Sequence, residues 1–395
     1  MYREEDMKYN FGKKINRYEN HSTKWTEMHN AFISNDLLPF WIADMDFETC
    51  PEVQKAMEEK IKQNIYGYVH TKPSYFESAC DFTKRRYGYD VNIQTLTHSP
   101  SVALSLALCV RLFTEVTDKV MISTPVYAPF HECVLQNGRE LVTNQLVIKD
   151  GKYTIDFEDF EKKASDENLK WYILCNPHNP TGRVWSKDEL EKLSQICIKH
   201  NVRVISDEIW RDLVFKGHEF TPFASLSKEV EDITITCFSA TKTFNLAGLQ
   251  ASFISLPREN ELQKFKQELS ILHLNRNSSF NVVACETAFN KGEEWLSELL
   301  VYLEENLNYV EGFLKTRLPK IKFIRPEGTY VIWLDFSEYE IENIYLFMQE
   351  NAKVALDNGA KYSKTSKEFL RLNFACPRYI LEEGLNKIEK SLEDK

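Results

Sequence analysis

Lys170-Trp-Tyr-Ile-Leu-Cys175-Asn-Pro-His-Asn-Pro-Thr-Gly182-Arg-Val-Trp-Ser186-Lys-Asp-Glu-Leu190 decides the fold class. An apolar run rich in aromatic and branched residues ends in a turn of Asn, Pro and Gly. Ser186, followed three residues later by Glu189, then has the pattern of a capping box. Apolar positions at Leu190, Leu193, Ile196 and Cys197 follow helical spacing, and Val202-Arg-Val-Ile-Ser206 begins a second strand that ends at Asp207. The unit reads strand, helix, strand. Similar short runs at Lys119–Ser123, Thr234–Phe238 and Ala251–Ser255 alternate with amphipathic stretches, which predicts an α/β fold with a mainly parallel sheet.

The pattern changes after about residue 290. Leu296, Leu299, Leu300, Leu303, Leu307, Val310 and Leu314 predict one long helix from Glu293 to Arg317, stopped by Pro319. A strand over Thr329–Asp335, a helix near Glu340–Asn351, a strand over Glu368–Asn373 and a closing helix complete a smaller α+β domain. We expect an N-terminal segment (1–48) packing with the small domain, a large domain (49–288) and a small C-terminal domain (289–395). The sequence has no Ser/Gly-rich linker and no repeat, so the two domains are expected to pack across a cleft, where ligands tend to bind.

The 395 residues supply enough apolar surface for a large core, with 43% hydrophobic content. Lys and Arg number 49 against 59 Asp and Glu, a net charge of −10, which disfavours nucleic acid and anionic membrane surfaces as partners. No apolar run approaches the roughly 18 residues that span a bilayer, and the opening Met1–Met7 is charged, so a cytoplasmic protein is expected. Nine scattered cysteines without a C-x-x-C pair suggest neither a disulfide framework nor a metal site.

Chemistry concentrates in Ser239-Ala-Thr-Lys242-Thr-Phe-Asn-Leu-Ala-Gly248, directly after an apolar strand. Taken alone, this loop favours a solvated lysine in a polar turn. A lysine at a strand end facing a cleft, however, can lose its proton through desolvation and nearby cations and form a Schiff base with an aldehyde. Asp207 lies at the carboxyl end of the preceding strand, where open α/β sheets place ligand groups. It can pair with a protonated pyridine nitrogen or simply cap a helix. The turn at 176–182 can present an amide to a phenolate oxygen or serve as a plain turn.

These features, together with Leu38-Pro-Phe-Trp-Ile-Ala-Asp-Met-Asp-Phe47, Tyr66-Gly-Tyr68, Thr124-Pro-Val-Tyr-Ala-Pro-Phe130, Pro326-Glu-Gly-Thr-Tyr330 and Arg371-Leu-Asn-Phe-Ala-Cys-Pro-Arg378, resemble the fold-type I pyridoxal phosphate (PLP) enzymes. Within them the chain resembles the MalY/PatB-type C–S lyases, or cystathionine β-lyases, from about Lys24 to Leu385. The resemblance implies the aminotransferase-like fold with a seven-stranded sheet. It also implies that Lys242 carries the cofactor, Asp207 holds the pyridine nitrogen, Asn179 donates to the ring oxygen and Tyr127 stacks on the ring. Val102 and Ala103 would donate amides to the phosphate, reinforced by Ser239 or Thr241, and Trp210 would border the ring. Tyr68 would reach the phosphate of a neighbouring subunit in a homodimer. Arg371 would clamp the substrate α-carboxylate, with Ile42, Ala43 and Asn179 beside the substrate.

Three positions depart from the family pattern. Ser99-Pro-Ser101 replaces Thr-Pro-Gly, Trp210 stands where His or Tyr is usual, and Thr241 replaces Ser. The implied reaction is β-elimination of an amino-acid substrate, with Lys242 as general base, giving a thiol, pyruvate and ammonia. An aminotransferase would use the same Lys, Asp, Asn and Arg. A regulatory protein that keeps the fold is a third reading, against which the intact Lys242 and Asp207 weigh.

Overall fold

The computed structural model describes residues 7–393 and 395, so residues 1–6 of the charged opening stretch lie outside it. Its large sheet is built from β1 (Leu96–Ser99), β2 (Lys119–Thr124), β3 (Glu140–Gln145), β4 (Leu169–Cys175), β5 (Arg203–Asp207), β6 (Thr234–Phe238) and β7 (Ser252–Ser255). The spatial order is β1-β7-β6-β5-β4-β2-β3. Pairs from β6 to β3 are parallel. The run at Ala251–Ser255 departs from that rule, because β7 is antiparallel to both β1 and β6.

The buried strands read as continuous apolar runs because helices cover both faces of the sheet. Val204, Ile205, Ile235 and Cys237 are fully buried. The helix Lys187–Lys199 begins as its sequence dictates: Ser186 Oγ accepts from the Glu189 amide, and the Glu189 carboxylate accepts from the Ser186 amide at 2.8 Å. Leu190, Leu193, Ile196 and Cys197 turn inward from it.

Chain order reverses between β4 and β2, a switch point of the kind that opens a crevice at the carboxyl edge of a sheet. Strands β1, β2, β4, β5 and β6 all end at that edge. The turn after β4 is held close to the second part of the molecule by Gly182, which has φ +69°; a Cβ there would meet Pro326 Cβ at 2.2 Å. The Gly182 carbonyl accepts from the amides of Glu327 and Gly328.

A four-stranded antiparallel sheet follows, ordered Lys322–Phe323, Val331–Asp335, Phe369–Asn373, Asp357–Asn358. The helix Glu293–Arg317 has the expected bounds and buries Leu296, Leu299, Leu303, Leu307, Val310 and Leu314. The helix expected near 340–351 is different. Glu340 has φ +51°, and Asn343 caps a later start, so only Ile344–Phe347 is α-helical before a π turn over Met348–Ala352.

The segment Trp41–Phe47 runs between the two sheets, and side chains from the small sheet and from the loop after β6 hold it. Asn373 donates to the carbonyls of Ile42 (2.7 Å) and Asp44 (2.6 Å). From the loop after β6, Asn245 donates to the carbonyls of Met45 and Phe47 and accepts from the Met45 amide. Asp46 is 2% exposed and accepts from Arg17 (2.6 Å), Lys24 (2.7 Å) and the Trp25 indole (2.9 Å). Lys24 is itself 1% exposed, so burial alone would strip its proton; the carboxylates of Asp46 and Asp44 keep it charged.

Removing one partner of such a buried pair leaves a desolvated charge, at a cost of about 3–5 kcal/mol. Asp46→Asn is therefore expected to lower the urea midpoint by that order of stability. The double variant Lys24→Met/Asp46→Asn is expected to recover part of the loss.

Candidate functional site

A cavity of about 500 Å³ opens at the carboxyl edge of the large sheet, beneath the segment Trp41–Phe47. Each wall comes from a strand end. Asp207 is the last residue of β5, Asn179 lies in the turn after β4, Tyr127 follows β2, and Thr241 and Lys242 follow β6. Val102 and Ala103 begin the helix Val102–Phe113 after β1, and Arg371 enters from the four-stranded sheet. Ile42, Ala43 and Trp210 complete the set of sequence candidates lining the cavity.

Lys242 Nζ donates to the Ala43 carbonyl at 2.5 Å and lies 5.6 Å from the centre of the Trp210 ring. Burial lowers its pKa to about 8; Asp44 and Asp207 oppose the shift and Arg371 adds to it. The neutral amine, the form a nucleophile or base requires, is thus far more accessible near neutral pH than for a solvated lysine. Asp207 is shifted the other way, to about 7, again mainly by burial, with the Ile209 amide and Lys242 opposing. That amide, at 3.0 Å from Oδ1, is the hydrogen-bond donor to the Asp207 carboxylate among the described residues, and no helix starts at Asp207 to be capped. A buried carboxylate with so few donors suits a cationic partner arriving from the cavity.

Arg371 is 2% exposed. Nη1 donates to Asn179 Oδ1 (3.1 Å), and Nη2 donates to the Trp41 carbonyl (2.6 Å) and lies 3.1 Å from Asp357 Oδ2. With its oxygen turned to Arg371, Asn179 has its amide hydrogens left to donate. At the helix start, Ser101 has φ −156°, an extended conformation that needs no glycine, and its hydroxyl accepts from the Leu104 amide. The amides of Val102 and Ala103 precede the first intrahelical bonds and can receive an anion. Thr241 lines the cavity, and its hydroxyl is hydrogen-bonded to the Ser239 hydroxyl at 2.8 Å.

The donor set fits PLP: an amine with a depressed pKa, a buried carboxylate short of partners, amides at a helix start, and an aromatic wall at Tyr127. Two sequence candidates lie elsewhere. The Ser239 hydroxyl caps the turn at Ala240–Thr243 and donates to the Ala251 carbonyl at 2.5 Å, and Ser239 is not among the residues lining the cavity. Tyr68 is 93% exposed, with the Arg276 guanidinium 4.5 Å from its ring centre, and does not line the cavity of its own chain. The cavity also contains residues that sequence reasoning missed, notably Asp357, Lys361 and Tyr362. Asp357 pairs across the small sheet with Arg371, a register that a two-residue strand does not reveal in sequence.

The aminotransferase class I and II family matches residues 35–388. Cystathionine beta-lyase PatB of Bacillus subtilis is 43% identical over 97% of this chain and 100% of its own. A PLP-bound C–S lyase from Staphylococcus hominis superposes with a TM-score of 0.92 at 35% identity, covering 98% of this chain and 99% of that one. Cystalysin from Treponema denticola, whose structure contains pyridoxal 5′-phosphate, gives a TM-score of 0.94 at 32% identity, covering 98% and 100%. With this fold, and with Lys242, Asp207, Asn179 and Arg371 around one cavity, the chain belongs to the aminotransferase class I and II family of PLP-dependent enzymes.

Proposed function

We propose that this protein is a PLP-dependent C–S lyase that cleaves cystathionine-type amino acids by β-elimination to a thiol, pyruvate and ammonia. The observation that carries the reading is the convergence of Lys242, whose amine is partly neutral near physiological pH, with Asp207 and Arg371 in one enclosed cavity. Relatives named as cystathionine β-lyases and C–S lyases support it over transamination.

Arg371 binds the α-carboxylate of the substrate, which fixes the substrate's Cα beside Lys242. Lys242 Nζ takes the Cα proton, a role suited to a pKa of about 8. PLP, when bound, supplies an electron sink for the charge left at Cα as the thiolate departs from Cβ. With PLP bound, Asp207 would hold the pyridine nitrogen, Asn179 would donate to the ring oxygen, and Tyr127 would lie against the ring. The amides of Val102 and Ala103, with Thr241, would hold its phosphate. Ile42, Leu106 and Trp210 give the cavity apolar walls that limit water at the reacting carbons. The active form we propose is a homodimer, in which the exposed Tyr68 of each protomer reaches the phosphate site of the other. The unpaired state of all nine cysteines suits a reducing compartment such as the cytoplasm. We also propose a division at about residues 48 and 288 into an N-terminal segment, a large domain and a small domain, which the separate seven- and four-stranded sheets support.

Purified holoenzyme given L-cystathionine without any keto acid is expected to release pyruvate and thiol in equal amounts. Strict dependence on a keto-acid acceptor would establish transamination instead. Lys242→Ala is expected to lose the visible absorption of bound cofactor and to slow pyruvate release by about three orders of magnitude.

Asp207 also governs a pH effect. Because burial raises its pKa from 3.8 to about 7, the folded chain binds more protons than the unfolded chain between those values. Cofactor-free protein therefore loses stability as pH rises through that window. Asp207→Asn removes this loss: the cofactor-free variant is expected to melt higher than the parent at pH about 8 and no higher at pH about 4. Its holoenzyme is expected to lose most of its lyase activity.

A further inference from the structure

Asp357 is a cavity residue with no part in the chemistry above, yet it meets the residue that binds substrate. Its Oδ2 lies 3.1 Å from Arg371 Nη2 and accepts from the Tyr362 hydroxyl at 2.6 Å. Its Oδ1 accepts from Lys361 Nζ (3.0 Å) and the Asn358 amide (3.1 Å). Two cations and a phenol thus share one carboxylate on the cavity wall.

The hydrogens of Arg371 decide what this means for a ligand. A carboxylate bound by two parallel N–H bonds uses either the Nε/Nη2 side of the guanidinium or its Nη1/Nη2 end, and Nη2 belongs to both. Nη2 donates to Trp41 O, and Asp357 Oδ2 is its ion-pair partner at 3.1 Å, so a carbonyl and a carboxylate together flank that nitrogen. Nε is buried without an acceptor, so one half of the side fork is vacant. An incoming carboxylate must displace one of the two Nη2 partners. The Trp41 carbonyl belongs to backbone whose next carbonyl is tied to Asn373, and it has no freedom to swing away. Asp357 is a side chain with three other donors that it can keep when it releases Arg371.

We infer that Asp357 occupies the α-carboxylate position on Arg371 in the free enzyme, and that substrate binds by exchanging its carboxylate for this one. Lys361 and Tyr362 retain the displaced side chain. Asp357 is then a specificity-determining residue: a thioether amine without a carboxylate leaves it in place. The inference rests on Arg371 being the substrate clamp.

The test is an equilibrium titration of the holoenzyme with methylthiopropionate, the desamino analogue of S-methylcysteine, followed by the NMR signal of its methyl group. This probe carries the carboxylate but has no amino group and cannot turn over. Asp357→Asn is expected to tighten binding roughly three- to tenfold, the effect of removing one partly screened competing charge. Lys361→Met removes the group that retains the displaced carboxylate and is expected to weaken binding roughly threefold. The Lys361 side chain is 46% exposed, so this variant folds independently of how Asp357→Asn behaves. The double variant is expected to match Asp357→Asn. Unchanged or weaker binding by Asp357→Asn overturns the exchange, as does a Lys361→Met effect that persists in the double variant. Arg371→Met is expected to abolish binding; if it does not, the clamp reading itself fails, and the two failures remain distinguishable.

Discussion

The site depends on one constraint: a strip of backbone from Trp41 to Phe47 that belongs to neither sheet and is bonded to the small sheet and to the loop after β6. Asn373 holds it from the small sheet and Asn245 from the loop that carries Lys242. The Ala43 carbonyl, fixed in this way, receives both Lys242 Nζ and the Tyr330 hydroxyl. Each of these contacts pairs a side-chain donor with a backbone carbonyl of the strip. The strip therefore closes the cavity and sets the position of the lysine with the same bonds.

Inside that enclosure, desolvation dominates electrostatics. Lys242 and Asp207 are displaced in opposite directions by the same cause, each toward its neutral form. Neither would be useful in that condition on a solvent-exposed surface. The cavity makes the amine reactive and leaves the carboxylate seeking a cation. The fold thus carries a standing cost at its centre, which cofactor binding offsets. The pair Lys24 and Asp46, by contrast, shows what burial looks like when partners are complete. Three donors meet one carboxylate, and the lysine stays charged.

What could be read from sequence follows the range of the interactions involved. The capping box at Ser186 is local, and so are the apolar strands ending at Asp207 and before Lys242; all are visible in a few consecutive residues. Asp357 and Lys361 escape because their importance arises from pairing with Arg371 across a two-residue strand that has no periodicity to recognise. β3 was hidden for a related reason, since Glu140–Gln145 is an edge strand with exposed polar residues. The helix expected near 340–351 failed because Asn343 caps a later start, and local capping prevailed over the apolar spacing. Tyr68 is exposed and lies outside the cavity, so the role that sequence implies for it has no counterpart within the chain.

The antiparallel direction of β7 has a mechanical consequence. A parallel successor to β6 would require a crossover, and the lysine loop would then leave the site toward the opposite edge of the sheet. Because β7 turns back, residues 239–251 enter and leave at the same edge, and Ala247, Gln250 and Ala251 line the cavity beside Lys242. The loop is a clasp riveted at both ends to adjacent strands. The amine at its crown can pivot on its four-carbon stem toward one partner or another, while its anchor stays in register with the sheet.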